Sequence, residues 1–312
     1  MRARRMMMAW LLCVVPWSCA LPGAASAQSA AQPRVALVLK TRANPFFVEM
    51  EKGARRAQAQ WGVQLVVKTP PQETSVEQQI GIIEQLVRDR VDAIVITPVD
   101  SVRIVPALKK ARDAGIVVID VDTRLDAKAQ RDAGMAPVPF VSVDNEAGAH
   151  KAVKYLTGQV RGPAEAAVIE GIRRTSTAQD RQRGALRAFA DSGGRIKLVA
   201  SETANWKIGE AHEVAGRLFA AHPRIKLLFC ANDLMALGAI QYLQEAGIKD
   251  VKVAGYDALD EAREAIRAGA LSVSVDQQAG EQGATGVAYA ARALKGEKLP
   301  PETMLETRLV TR

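Results

Sequence analysis

The chain is poor in cysteine, histidine and aromatic residues, with 3 Cys, 3 His, 6 Phe, 4 Trp and 4 Tyr in 312 residues. So few cysteines exclude a disulfide scaffold and any Cys-rich zinc module. His150, His212 and His222 are scattered without ligand spacing, which argues against a metal centre. Beyond the N-terminal segment no stretch is long and apolar enough to cross a bilayer. Also missing are a G-x-S-x-G elbow, a G-x-x-x-x-G-K-[ST] phosphate loop and an H-E-x-x-H helix. What is present is a globular mixture, 48% hydrophobic and 24% charged, long enough for one large domain or two lobes.

Residues 1–27 read as a secretory signal. Arg2, Arg4 and Arg5 precede a short apolar run, Met6 to Val15, and Ala25-Ser26-Ala27 is a small-x-small cleavage signature. Pro16, Ser18, Pro22 and Gly23 interrupt the run and argue against a membrane anchor, and neither Cys13 nor Cys19 has a lipoprotein context. Removing this segment takes away three arginines and no acid, so the formal charge of +8 falls to +5. It also leaves Cys230 alone, in the apolar run Leu227-Leu228-Phe229-Cys230, where a buried inert thiol is expected. An exported, soluble protein with a polar leader over 28–33 is therefore expected.

From there, apolar runs of strand length alternate with amphipathic segments of helix length. Strands are expected at Val35–Leu39, Leu65–Val67, Ala93–Thr97 and Ile116–Ile119, then at Ala166–Ile169, Leu198–Ala200, Leu227–Cys230 and Val251–Ala254. Helices are expected from Pro45 to about Trp61, capped by Asn44 and closed by Gly62, and over Val76–Arg90 and Val102–Gly115. Further helices start near Ala178, Ile208 and Asp233. Runs buried on both faces imply parallel strands covered by helices, and the repeated series suggests two doubly wound α/β lobes, with one larger sheet as the alternative.

Ligands of such sheets gather at the carboxyl ends of the strands. The residues there are Lys40 to Phe47, then Asp120, Asp122, Thr123 and Arg124. The second series offers Arg181-x-Arg183-Gly184, Trp206, Asn232-Asp233, Asp257 and Gln277. Carboxylates, amides, a guanidinium and a few rings suit a neutral polyhydroxylated ligand: polar groups bond hydroxyls and ring faces stack on C–H surfaces. Singly, each of these residues is more often a helix cap or a surface ion pair. Their coincidence at strand ends favours a site.

Seven phrases then occur in a recognisable order: Asn44-Pro45-Phe46-Phe47, Thr97-Pro98-Val99-Asp100-Ser101, Val143-Asp144-Asn145, Arg181-Gln182-Arg183-Gly184, Ala221-His222-Pro223, Ala231 to Ala239, and Val253-Ala254-Gly255-Tyr256-Asp257. From about Arg34 onward the chain resembles the ribose-binding-protein branch of the periplasmic sugar-binding proteins. The resemblance implies a type I periplasmic binding protein: two doubly wound parallel-sheet lobes joined by a three-crossover hinge near 143–144, 276–277 and 305–306. It places one lobe at 34–143 plus 277–304 and the other at 144–276 plus 305–312. It further implies an aromatic sandwich of Phe46, Phe47 and Trp206, and hydroxyl-binding groups at Asn44, Asp122, Arg183, Asn232, Asp257 and Gln277. Lys40 and Thr123 take two further contact positions but depart from the ribose pattern of a small polar residue and an arginine. Trp206 is larger than the usual phenylalanine. The implied ligand is thus a sugar, polyol or related derivative.

The implied output is capture by hinge closure and delivery to an ABC-type membrane permease, by a monomer in the periplasm without cofactor or metal. A periplasmic sensor kinase or chemoreceptor is the alternative recipient. A transcription regulator on the same core would carry an N-terminal helix-turn-helix, where this chain has an export signal, and +5 fits a solvated surface better than a nucleic-acid footprint. Asp122 and Asp257 could pose as a glycosidase pair, but hydroxyl ligation explains both more simply; no enzyme is expected.

Overall fold

The computed structural model describes residues 32–312. The expected signal segment and the leader up to Ala31 lie outside the described residues. In chain order the elements are β1 (Arg34–Val38), α1 (Pro45–Trp61), β2 (Gln64–Lys68), α2 (Val76–Arg88), β3 (Ala93–Ile96), α3 (Val105–Asp113), β4 (Val117–Val121), α4 (Ala127–Asp132) and β5 (Phe140–Val143). There follow α5 (Asn145–Gly158), β6 (Ala164–Glu170), α6 (Ser176–Ala190), β7 (Ile196–Thr203), α7 (Ile208–Ala221), β8 (Ile225–Cys230), α8 (Asp233–Glu245) and β9 (Lys252–Ala254). The last elements are α9 (Asp260–Ala268), β10 (Ser274–Asp276), α10 (Ala279–Leu294), β11 (Glu302–Leu305) and β12 (Arg308–Val310).

Two separate parallel sheets replace the single-sheet alternative. One has the order β11-β5-β4-β3-β1-β2 and the other β7-β6-β8-β9, while β10 and β12 form an antiparallel pair. The chain passes between the sheets three times: from β5 into α5, from β10 into α10, which packs on β3 and β4, and from β11 to β12. Each sheet with its helices is a lobe.

Strand alternation explains how the six-stranded sheet is covered on both faces. Val35, Leu37, Leu39, Val95, Ile119 and Val121 join the cluster containing Phe47 and Met50 of α1. Ala36, Val38, Ile94, Ile96 and Val118 instead pack with Ile83 and Leu86 of α2 and Leu108 of α3. In the second lobe α5 packs on α6 and α7 on α8.

The boundaries follow local chemistry. Asn44 takes extended φ/ψ and accepts the Phe46 N–H, Pro45 opens α1, and Gly62 closes it in the left-handed region. Helix α3 starts at Val105 rather than Val102, with Pro106 in its first turn, and α6 starts at Ser176, ahead of the expected Ala178. Helices α5 and α10, unread in the sequence, are Ala/Gly-rich and offer little apolar contrast.

Helices α1 and α10 touch backbone to backbone: a Cβ on Gly53 would lie 1.8 Å from the Gly280 carbonyl oxygen. Gly53→Ala should therefore force the helices apart and cost about 1–3 kcal/mol or more, as overpacking does. Gly81→Ala, where a Cβ meets open space inside α2, should stabilise by about 0.5–1 kcal/mol. Urea unfolding of the two variants checks both signs.

Candidate functional site

In each sheet the strand order reverses beside an inner strand, β1 in one and β6 in the other, so the following loops diverge and open a crevice at the carboxyl ends. The two crevices face each other across a small cavity lined by residues of both.

The first lobe contributes Lys40 after β1, Asn44, Phe46 and Phe47 at the start of α1, Glu73 after β2, and Asp122 after β4. The Lys40 ammonium is buried, 2.8 Å from Asp122 Oδ2 and 2.6 Å from Thr123 Oγ1, and the Thr123 hydroxyl donates back to Asp122 at 3.0 Å. Thr123 thus braces the ion pair from behind rather than lining the cavity. Phe46 and Phe47 meet edge to face with centroids 5.0 Å apart. While its Oδ1 caps α1, the Asn44 amide donates to Glu73 Oε1 at 3.0 Å. Burial raises the Glu73 carboxyl above its usual range, against the pull of Lys40 and this hydrogen bond.

The second lobe contributes Thr177 and Arg181 from α6, Trp206 after β7, Asn232 capping α8, and Asp257 after β9; Gln277 enters from the crossover after β10. Arg181 is the hub. Its Nε donates to Asn145 Oδ1 and its Nη1 to the Ala231 carbonyl, both at 2.8 Å, and Nη1 lies 3.5 Å from Asp257 Oδ1. Its guanidinium stacks 3.7 Å from the Tyr256 ring centroid and 5.6 Å from that of Trp206. Gln277 Nε2 donates to Asp257 Oδ1 at 2.6 Å. Trp206 closes over Gly171, where a Cβ would fall 2.1 Å from the indole, and the buried indole N–H has no protein acceptor.

Three of the cavity residues hold positive φ without being glycine: Asp122 at 67°, Trp206 at 67° and Asp257 at 114°. Such backbone costs on the order of 1–3 kcal/mol per residue and persists where the surroundings enforce it, as at ligand clamps.

Of the residues the sequence pointed to, Lys40, Asn44, Phe46, Phe47, Asp122, Trp206, Asn232, Asp257 and Gln277 line one cavity. Arg183 is a correction. Its side chain is 55% exposed and bound to Glu146 and Asp180, outside the cavity, while Arg181 at 4% takes the interior place. Residues two apart on a helix point about 200° from each other, so only one arginine of the pair can face inward. Ala178, Arg181, Ala185 and Ala188 form the buried stripe, and that periodicity was the available signal. Glu73 and Thr177 went unread; each occupies the loop or first helical turn that follows a strand, the position at which ligand groups were sought.

Two sheet-centred lobes, a hinge of three chain crossovers and a small buried cavity between strand ends define a cleft-type ligand-binding protein. The family comparison agrees: the periplasmic binding protein domain matches residues 35–298, and the chain belongs to that family. It is 38% identical over 277 residues to a D-ribose/D-allose-binding protein of Pseudomonas aeruginosa, covering 88% of this chain and 86% of that one. It is 33% identical to the D-allose-binding periplasmic protein of Escherichia coli K12, over 88% of this chain and 89% of the relative. Among solved structures, an ABC transporter periplasmic solute binding protein from Actinobacillus succinogenes with bound D-allose superposes with a TM-score of 0.85 at 36% identity, covering 90% and 98% of the two chains. By name these relatives are sugar-binding proteins, the solved structure being an ABC transporter's solute binding protein, and the family is one of binding proteins rather than enzymes.

Behind the cavity, burial pushes the Asp233 carboxyl up from 3.8 to about 7, although Ser274 and the Leu259 N–H donate to it. Burial likewise raises Asp257, against the pull of Arg181 and with the help of Asp233. An acid whose pKa is higher folded than unfolded stabilises the native state below the unfolded value, and that contribution is lost as pH rises through the folded value. Wild-type stability should therefore decline between about pH 4 and pH 7 relative to Asp233→Asn. Urea unfolding of both proteins across that range measures the difference in slope.

Proposed function

We propose that this protein captures a monosaccharide between its lobes by hinge closure in the periplasm and delivers it to the permease of an ABC importer. D-allose and D-ribose are the first candidates. The observation that carries this reading is one buried cavity in which aromatic rings from both lobes accompany a ring of carboxylates, amides and two cations. Phe46, Phe47 and Trp206 supply faces for sugar C–H surfaces. Asp122, Asp257, Asn44, Asn232, Gln277 and Arg181 supply fixed donors and acceptors for hydroxyls, with Lys40 held by Asp122. The free indole N–H of Trp206 offers one more donor. Where a buried group has no partner in the protein, as the Trp206 indole N–H has none, a sugar lacking the matching hydroxyl leaves it unpaired, at about 1–3 kcal/mol. The relatives' names and the bound D-allose support the ligand class and the import role.

In this reading residues 1–27 direct export, and the mature chain works as a monomer. Its lobes comprise 34–143 with 277–304 and 144–276 with 305–312. The ligand shifts the open–closed population by bonding both lobes at once.

A thermal-shift and calorimetric screen of the mature protein against pentoses, hexoses, polyols, sugar acids and amino acids tests the proposal. At a hundredfold excess over Kd the bound sugar should add about 2.7 kcal/mol of stability. Arg181→Gln and Asp257→Asn should remove the shift, whereas Arg183→Ala should keep it. A response to amino acids alone would refute the sugar assignment, and loss of binding in Arg183→Ala with retention in Arg181→Gln would misplace the site.

A further inference from the structure

Away from the cavity, the two lobes are joined at the first turn of α6. Arg174 Nε, in the loop before that helix, lies 2.9 Å from Asp100 Oδ2 in the loop after β3. The Ser176 N–H donates to Ser101 Oγ at 3.3 Å, and Ser176 Oγ accepts the Arg124 N–H at 2.9 Å. All three links cross from one lobe to the other, and none of these five residues lines the cavity.

The division of labour within Asp100 is informative. Its Oδ1 accepts the Val102 and Arg103 N–H groups, both at 2.9 Å, which fixes the carboxylate within its own lobe. That leaves Oδ2 aimed across the cleft at Arg174. The Asp100 side chain is 3% exposed and that of Arg174 45%, so one partner is a fixed buried charge and the other an arm that can let go into water. Ser101 is held in turn, its carbonyl accepting the Asp126 N–H at 2.8 Å. The same helix turn that is gripped here carries Thr177 and, one turn on, Arg181 into the cavity.

We propose that the Asp100–Arg174 pair, with the Ser101–Ser176–Arg124 bonds, is an interlobe clasp that sets α6 in register over the site and governs how long a ligand stays, not which ligand enters. Arg174 and Asp100 are positioning residues in this scheme, acting through Thr177 and Arg181. The clasp rests on the closure reading for its role but not on the identity of the sugar.

Because the clasp forms only once the lobes meet, its loss should act on escape and spare capture. With D-allose as probe in stopped-flow measurements, Arg174→Ala should raise koff about two- to fivefold with kon nearly unchanged, the range for one partly exposed ion pair. Asp100→Asn, which keeps an Oδ1 acceptor for its cap bonds, should do the same, and the double variant should add little, since both remove one interaction. Arg174→Lys should restore much of the wild-type dwell time. Added salt should speed release from the wild type and leave Arg174→Ala unaffected. Unchanged koff in both single variants, or fully additive effects, would overturn the clasp. If D-allose does not bind the wild type, that ligand assignment fails, and the same stopped-flow comparison with D-ribose decides instead: faster release from Arg174→Ala upholds the clasp, and unchanged release refutes it.

Discussion

The site depends on one buried guanidinium. Arg181 reaches from α6 to the strand ends of its lobe, donating to Asn145 and the Ala231 carbonyl and pairing with Asp257 while its guanidinium stacks over Tyr256. A charge removed from water this completely needs a counter-charge and hydrogen-bond acceptors, and the groups that supply them come from three elements far apart in sequence. Each is thereby fixed: Asn145 at the crossover into α5, Ala231 beside the Asn232 cap, and Asp257 after β9. Asp257 in turn holds Gln277 at the next crossover. The arrangement of the second lobe's half of the cavity is, to first order, the set of positions that satisfies Arg181.

The first lobe solves the same problem with a lysine. Lys40 is neutralised by Asp122 and braced by Thr123, and Asp122 takes a left-handed backbone to reach it. The pattern repeats on both sides of the cleft: a buried cation with a carboxylate partner, held on backbone that ordinary residues avoid. Groups arranged this way meet an incoming hydroxyl without reorganising, and binding then loses less to ordering.

Much of this was legible in the residues. Buried runs gave the parallel strands, Asn44-Pro45 gave the start of α1, and strand-end chemistry gave nine residues of one cavity. Arg183 failed for a specific reason: a motif names two arginines, and only the alanine stripe of α6 decides which faces in. Glu73 was hidden because its role arises from a long-range bond to Asn44, which local pattern does not carry. Helices α5 and α10 escaped notice because alanine and glycine serve close helix contact there rather than a contrast of apolar and polar faces. The packing of Gly53 on Gly280 is the same fact seen in three dimensions.

The placement of β11 and α10 has a consequence for how the chain is made. The six-stranded sheet takes its edge strand from Glu302–Leu305, and α10 covers β3 and β4 only after Ala279 has been synthesised. A polypeptide emerging from its N-terminus can lay down β1 to β5 early, yet it lacks the pieces that seal them until the second lobe has been made. Until then β5 has an unpaired edge, and one sheet face carries α1 without α10 beside it. The early-synthesised lobe is therefore completed late, and stable folding of the whole waits on vectorial arrival of its final segments.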